Sequence, residues 1–393
     1  MGIKGLQQFF NHHIPDTKGI KTIYASTLAD KPLAIDISIY LYQYACAIKN
    51  SVDDIYNQDG EVITHIQAIL NKALGLIKKK IKPIFVFDGK APDVKNNVLQ
   101  DRYIKKNAAK DNIVQLNTSI QKLIEELKSI KLKLPTVTMA DLTYQLEIME
   151  EIGELKKLRS SALKKSTSIS RKQMTECKEL LTILGIPIIE SLGEADPQCS
   201  NLVKTNMAYG VASEDMDILT FGTQRLIRKL ASGNDCIMYD LDIILKDLNI
   251  TYLQFVDVCI LLGCDYTRTI PGIGSKKILA LIKEHGNIEN FILSTNINIP
   301  DDFDFVKARQ GFLEPQVKEV VDIKWSIPDY VALSKLLKEK YSYSHDEVDK
   351  LSNVLSGGYY SVISGEKTLK QYKRDCTAYI NSKRAACMDS DDD

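Results

Sequence analysis

The sequence predicts an α/β fold with a mostly parallel, twisted central sheet flanked by helices. Three observations predict it. Pro32-Leu33-Ala34-Ile35-Asp36 and Pro83-Ile84-Phe85-Val86-Phe87-Asp88 are short apolar runs that each end in an aspartate. His65–Lys80, which separates them, has the apolar spacing of the crossover helix that parallel strands require. Later, Val211-Ala212-Ser213-Glu214-Asp215-Met216-Asp217 repeats the pattern of buried strand followed by carboxylates. Parallel α/β sheets place their sites at such strand ends.

Taken in order, the first strand carries Asp36, a charge inside an apolar run that needs a partner or a cation. The helix after it holds Tyr40, Tyr42 and Tyr44, residues that pack or stack on bases. The second strand delivers Asp88 followed by Gly89 and Lys90. Ile113, Leu116, Ile120, Leu123, Leu127 and Ile130 then recur three and four apart, the face of an amphipathic helix. After Pro135, Leu142, Leu146, Met149, Ile152 and Leu155 open a second helix. Ser160–Ser170, with Lys164 and Lys165, has the composition of a mobile linker. This region reads either as a two-helix coiled coil that binds a protein or as a basic helical arch over an active site.

The α/β pattern resumes with Ile186–Glu190, a strand, and Gly193-Glu194-Ala195-Asp196, which opens a helix. Acidic residues in a first turn suit the helix dipole as well as a metal. Asp215 and Asp217 have the period-two spacing that places two side chains on one side of an extended segment, though such pairs also cap turns and helices. Leu226–Leu230 and Cys236–Tyr239 flank Ser232-Gly233-Asn234-Asp235 as a hairpin. Residues 251–292 form a separate helical unit. In it Ile270-Pro271-Gly272-Ile273-Gly274-Ser275-Lys276-Lys277 brings backbone N–H groups and two lysines to a helix start, a phosphate-binding arrangement.

Composition narrows the function. The 393 residues carry 51 Lys/Arg and 51 Asp/Glu, but unevenly. Residues 90–180 hold 18 basic against 12 acidic side chains, and four of the last five residues, from Asp389 to Asp393, are aspartate. A basic segment beside acidic strand ends fits a phosphate-binding surface next to a metal site, and a solvated helix surface equally well. The longest apolar run, Val258–Leu262, is too short to span a membrane, and no signal peptide is visible. Leu6 stands where N-myristoylation wants Ser or Thr. Eight cysteines without a CxxC pair indicate reduced thiols and an intracellular chain.

Together, Met1–Leu6, Ala34-Ile35-Asp36, Val86-Phe87-Asp88-Gly89-Lys90, Glu194–Asp196, Glu214–Gly222, Phe255-Val256-Asp257 through Gly274, and Phe312-Leu313-Glu314-Pro315 resemble the flap endonuclease branch of the structure-specific 5′ nuclease superfamily. The resemblance spans about residues 1–330 and implies a PIN-like sheet, a helical arch insertion and a helix-two-turn-helix module that grips duplex DNA. The implied boundaries are 1–96 and 177–250 for the nuclease regions, 97–176 for the arch, 251–292 for the module and 293–393 for the C-terminal region. It implies a metal-dependent enzyme that cuts branched DNA near single-strand/double-strand junctions during replication, repair or recombination. A 5′→3′ exonuclease or junction resolvase of the same superfamily is the second reading, and a DNA-binding relative without chemistry is the third.

Position by position, the resemblance assigns Asp36, Asp88, Glu194 and Asp196 to a first Mg²⁺ and Asp215, Asp217 and Asp265 to a second, with Mn²⁺ as substitute. Oxygen-only ligands suit such hard cations. Two of them about 4 Å apart neutralise the attacking and leaving oxygens of a phosphodiester. Lys95 and Arg102 fall where relatives hold the scissile phosphate, Tyr42 where they stack on the adjoining base, and Gly2 where the processed N-terminus meets the site. Gly272, Gly274, Lys276 and Lys277 fall on the duplex-gripping turn, which in relatives also takes K⁺. Departures are Asp196 in place of the usual Glu, and a longer segment between Arg102 and Glu176. The sliding-clamp motif is missing, Asn353–Tyr360 being the nearest candidate, and the family's lysine-rich tail is absent. The implied partner is flapped DNA, with no membrane, and the chain is expected to act as a monomer. The implied compartment is the nucleus, or a cytoplasmic replication site for a viral chain.

Overall fold

The computed structural model describes residues 2–49, 54–89, 96–131, 138–230, 233–295 and 297–358. The chain divides into two compact units. The first comprises Met1–Ser38, Ile69–Val94 and Thr175–Asp393; the second comprises Ile39–Ala68 and Lys95–Met174.

Helix α1 (Leu6–His13) precedes β1 (Ile20–Tyr24) and β2 (Pro32–Asp36). Helices α2 (Ile37–Ile48) and α3 (Thr64–Lys78) lead to β3 (Lys82–Phe87). In β2 and β3 every residue after the first is buried, as expected for parallel strands covered on both faces. The second unit's long pair, α4 (Asn96–Lys131) and α5 (Met139–Ser166), follows. Then come α6 (Arg171–Ile183), β4 (Ile188–Glu190), α7 (Ala195–Lys204) and β5 (Gly210–Ala212). A single turn α8 (Asp217–Thr220) leads to β6 (Arg225–Arg228), β7 (Asp235–Asp240) and α9 (Leu241–Leu248).

The seven strands form one sheet in the order β1-β7-β6-β5-β2-β3-β4. From β6 to β4 neighbouring strands are parallel; β7 and β1 close one edge antiparallel. Parallel pairing brings the C-terminal ends of β2, β3, β4 and β5 to one edge, with Asp36 opposite Val86 and Phe87 opposite Glu190. Strand β1 was not legible in the sequence, because Ile20-Lys21-Thr22-Ile23-Tyr24 is half polar and lies at an exposed edge. The β6–β7 hairpin forms as expected.

Helices α10 (Tyr252–Leu262), α11 (Ser275–His285), α12 (Ile288–Ser294) and α13 (Phe305–Leu313) pack beside the sheet. Thr251 and Gln254 form a reciprocal capping box that starts α10 where the sequence places it. Arg309 of α13 binds Asp257 of α10 through two N–H groups at 2.9 Å and Glu289 of α12 through two more at 2.5 and 2.9 Å. One guanidinium thereby joins three helices, and nothing in the sequence spacing marks it.

In the second unit, Ile120 and Ile130 of α4 bury against Ile148 and Ile152 of α5, with Leu123, Leu127 and Leu155 alongside. One expectation is corrected here. Residues 160–166 are not a linker but the last turns of α5, where Ala162 is buried and Thr167 Oγ1 caps the end by donating to the Leu163 carbonyl at 2.8 Å. The apolar residues assigned to α5 also split between two faces: Ile152 and Leu155 pack, whereas Leu142, Leu146 and Met149 are exposed. Serine-rich composition does not prevent a helix once a neighbouring helix covers one of its faces.

Candidate active site

The expected carboxylates lie in the first unit, at or just beyond the strand ends. Backbone groups fix several of them. Asp36 Oδ1 accepts from the Ser38 N–H at 2.8 Å, and Asp88 Oδ1 accepts from the Ala195 N–H at 2.8 Å. That second bond ties the end of β3 to the first turn of α7, which itself carries Asp196. Asp215 accepts from the Asp217 N–H at 3.0 Å, and its own N–H donates to Ser213 Oγ at 3.0 Å. The extended geometry expected for this pair is therefore wrong. Met216 is helical and Asp217 begins α8, so a local turn brings the two carboxylates together.

Asp36, Asp215 and Asp217 are buried. Asp196 is half-buried, and its Oδ1 is closed off from solvent with no hydrogen-bond partner among the described residues. Its pKa is pushed well above the ordinary carboxyl value, first by burial, then by the charges of Asp36, Asp215, Asp217 and Asp88. Five carboxylates from four segments of the chain thus share one electrostatic neighbourhood. Glu194 joins it through Tyr266, whose hydroxyl donates to Glu194 Oε2 at 3.2 Å. The Tyr266 phenol is itself raised by burial and by Glu194, Asp217 and Asp196. Asp265, next to Tyr266 in the turn after α10, is half-buried.

Gly2 closes the neighbourhood from the other end of the chain. Its φ is +88°, and a Cβ there would overlap Asp215 Oδ1 and stand 2.7 Å from Asp217 Oδ1. Only glycine lets the backbone pass so close in that conformation. The Lys4 N–H donates to the Gly263 carbonyl at 2.9 Å, holding the N-terminal segment beside the loop that carries Asp265. Gly89 shows the same economy of space, since a Cβ there would come within 2.6 Å of the Leu192 carbonyl.

An all-oxygen donor set with an orphaned buried carboxylate oxygen fits a hard divalent cation. Among the described residues no three His, Cys, Asp or Glu side chains already stand arranged to hold one. The carboxylates are gathered, not closed into a coordination shell.

Other expected residues fall elsewhere. Lys95 lies outside the described residues, as do Tyr359, Tyr360 and the acidic tail. Arg102 belongs to α4 in the second unit. Tyr42 also belongs to the second unit, half-buried, with its hydroxyl donating to the Lys164 carbonyl at 3.3 Å. In the turn before α11, Gly272 has φ +83°, and among the described residues beyond their chain neighbours nothing lies within 4 Å of a built Cβ at Gly272 or Gly274, while Lys276 and Lys277 are exposed. Sequence reasoning missed Tyr266 and Ser191. Ser191 is buried and donates to the Phe87 and Gly193 carbonyls at 2.8 and 2.6 Å, knotting the two loops that carry Asp88 and Glu194. Tyr266 follows Asp265 directly, which is the one signal that could have found it.

Two family models match the chain, the XPG N-terminal domain over residues 1–109 and the XPG I-region over residues 185–265. Flap endonuclease 1-B of Physcomitrium patens is 33% identical over 359 residues, covering 88% of this chain and 93% of the relative. The catalytic core of Rad2 in complex with DNA substrate superposes with TM-score 0.63 at 22% identity, covering 90% of this chain and all of that one. Flap endonuclease-1 from Methanococcus jannaschii gives TM-score 0.61 at 24% identity, covering 89% of this chain and 98% of that one. These two structures share the α/β fold with its helical insertion.

Proposed function

The chain belongs to the flap endonuclease family of XPG-type 5′ nucleases, and from that premise we propose how its residues cut DNA. It is a structure-specific flap endonuclease that hydrolyses phosphodiester bonds at single-strand/double-strand junctions. The observation that supports the site best is the buried Asp196 Oδ1, without a hydrogen-bond partner among the described residues and under the charges of four other aspartates.

In this reading Asp36, Asp88, Glu194 and Asp196 hold one divalent ion and Asp215, Asp217 and Asp265 hold a second, Mg²⁺ or Mn²⁺. When bound, such ions supply an activated water and neutralise charge on the reacting phosphate. The Ser38 and Ala195 N–H groups keep Asp36 and Asp88 oriented, and the Tyr266 hydroxyl does the same for Glu194. Preorientation of this kind keeps the donors in place before substrate arrives. Gly2 leaves the space a side chain would fill. Lys95 and Arg102 hold the scissile phosphate and Tyr42 stacks on the adjoining base; the family resemblance carries these three roles.

The turn at Gly272–Gly274 with Lys276 and Lys277 takes a phosphate of the duplex arm, since open space and N–H groups at a helix start favour an anion. The resemblance alone carries K⁺ at this turn. The basic residues of the second unit receive the 5′ single strand. All the proposed ligands come from one chain, which suits a monomer. Among the described residues no helix is long and apolar enough to cross a membrane. The work of such an enzyme lies where DNA is copied and repaired, in the nucleus or at a cytoplasmic replication site.

Cleavage of a labelled 5′-flap duplex tests the reading. Activity should require Mg²⁺ or Mn²⁺ and vanish with chelator. Asp88→Ala and Asp217→Ala should each lower the rate by orders of magnitude, because one lost ligand removes several kcal/mol of transition-state stabilisation. DNA binding should survive. Full cleavage by either variant would make the carboxylates structural.

A further inference from the structure

Helix α5 has two apolar faces, and among the described residues only one is packed. Ile148, Ile152 and Leu155 pack on α4. About 130° around the helix, at 100° per residue, lie Met139, Leu142, Leu146 and Met149. These four are 80%, 47%, 67% and 55% exposed. Their spacing of three, four and three residues is that of a helix–helix seam. The next position in that rhythm is Gly153, in the middle of the helix, where a glycine weakens the helix. Among the described residues a Cβ there would meet nothing within 4 Å, so no contact among them explains the missing side chain. A backbone arriving from outside would explain it, as small residues let helices approach closely.

Charge identifies the visitor. Residues 138–155 contain no Lys, Arg or His. Glu147, Glu150 and Glu154 are exposed and run along one flank of the seam, with exposed Glu151 beyond them. The basic excess of the second unit therefore lies elsewhere on it. A face so charged repels nucleic-acid phosphate, and a second copy would set glutamates against glutamates.

We propose that the Met139–Gly153 face of α5 is a docking surface for a separate protein that presents a basic amphipathic helix. The partner's apolar residues, three and four apart, would fill the seam, and its Lys or Arg residues would line the glutamate flank. This site is distinct from the carboxylates and independent of the nuclease reading.

The test is fluorescence anisotropy of the full chain with a designed helical peptide three heptads long, with a leucine seam and a Lys/Arg flank. The matching peptide with a Glu flank is the control. The basic peptide should bind and the acidic one should bind at least about tenfold more weakly. Leu146→Glu and the double variant Glu150→Lys/Glu154→Lys should each weaken the basic peptide about tenfold, and the double variant should gain affinity for the acidic one. Circular dichroism and melting curves check that both variants stay folded, which substitutions at exposed positions should allow. Equal binding of the basic peptide to wild type and Leu146→Glu overturns the proposal. So does Leu146-dependent self-association in sedimentation, which would make a second copy the occupant. Oligonucleotide binding that Leu146→Glu abolishes would assign the face to nucleic acid and likewise overturn it.

Discussion

Arg309→Met removes the cation that joins α10, α12 and α13 while keeping much of its aliphatic volume. The side chain of Asp257 is 4% exposed and that of Arg309 23%, so the pair sits close to the buried limit. Removing one partner of a buried pair costs about 3–5 kcal/mol, because the other charge is left without compensation. The Glu289 side chain is 41% exposed, so its share is small, at most about 1 kcal/mol. Partial exposure of Arg309 places the expected loss near the lower end, about 3 kcal/mol. At roughly 2–4 °C per kcal/mol for a chain of this size class, Tm should fall by about 6–12 °C.

The pH dependence follows from the shifts. Burial raises the Asp257 carboxyl pKa even though Arg309 opposes it, so without Arg309 it rises further. A raised carboxyl takes up a proton on folding, so the buried-charge cost is full at neutral pH and fades as pH falls through the raised pKa. Glu289 is lowered, chiefly by Arg309. Its contribution is present above the unfolded glutamate pKa and is lost on acidification, and Arg309→Met removes it. Both effects narrow the gap between variant and wild type as pH falls. Scanning fluorimetry from about pH 3 to pH 8 reads the gap, and adding Asp257→Asn to Arg309→Met should recover most of the neutral-pH loss. A drop below about 2 °C, or no recovery by Asn, would refute the reasoning.

Four further expectations concern DNA binding and cleavage. Gly2→Ala puts a methyl against Asp215 and Asp217 in a left-handed conformation. The N-terminal residues must then move, and single-turnover flap cleavage should fall about tenfold or more while Tm barely changes. Gly274→Leu fills the open space before α11. It should weaken binding of duplex much more than of single strands in a direct titration, and equal loss would remove the turn from the duplex interface. In the second unit, Arg102→Ala should slow single-turnover cleavage, whereas neutralising Lys164 and Lys165 should weaken capture and flatten its salt dependence. A bulky block on the free 5′ end should inhibit cutting, and normal cutting of the blocked flap would show that the strand does not thread.

The sequence by itself determined the strands with acidic ends and the helices with clear periodicity. β2, β3 and α10 could be read because burial on both faces and a capping box leave local signatures. The carboxylates could be found for the same reason: a charge ending an apolar run is conspicuous, and their order along the chain carries the family. Only the tertiary structure decided what surrounds them. That Asp196 lies among four other aspartates, that Gly2 returns to Asp215, and that Tyr266 holds Glu194 are contacts between residues far apart in the chain. The same holds for the guanidinium of Arg309 between two distant acids. Periodicity equally could not say which face of α5 packs, since both faces repeat at three and four residues and only α4 selects one. Local pattern records what a residue needs, burial or a partner; packing chooses which residue answers.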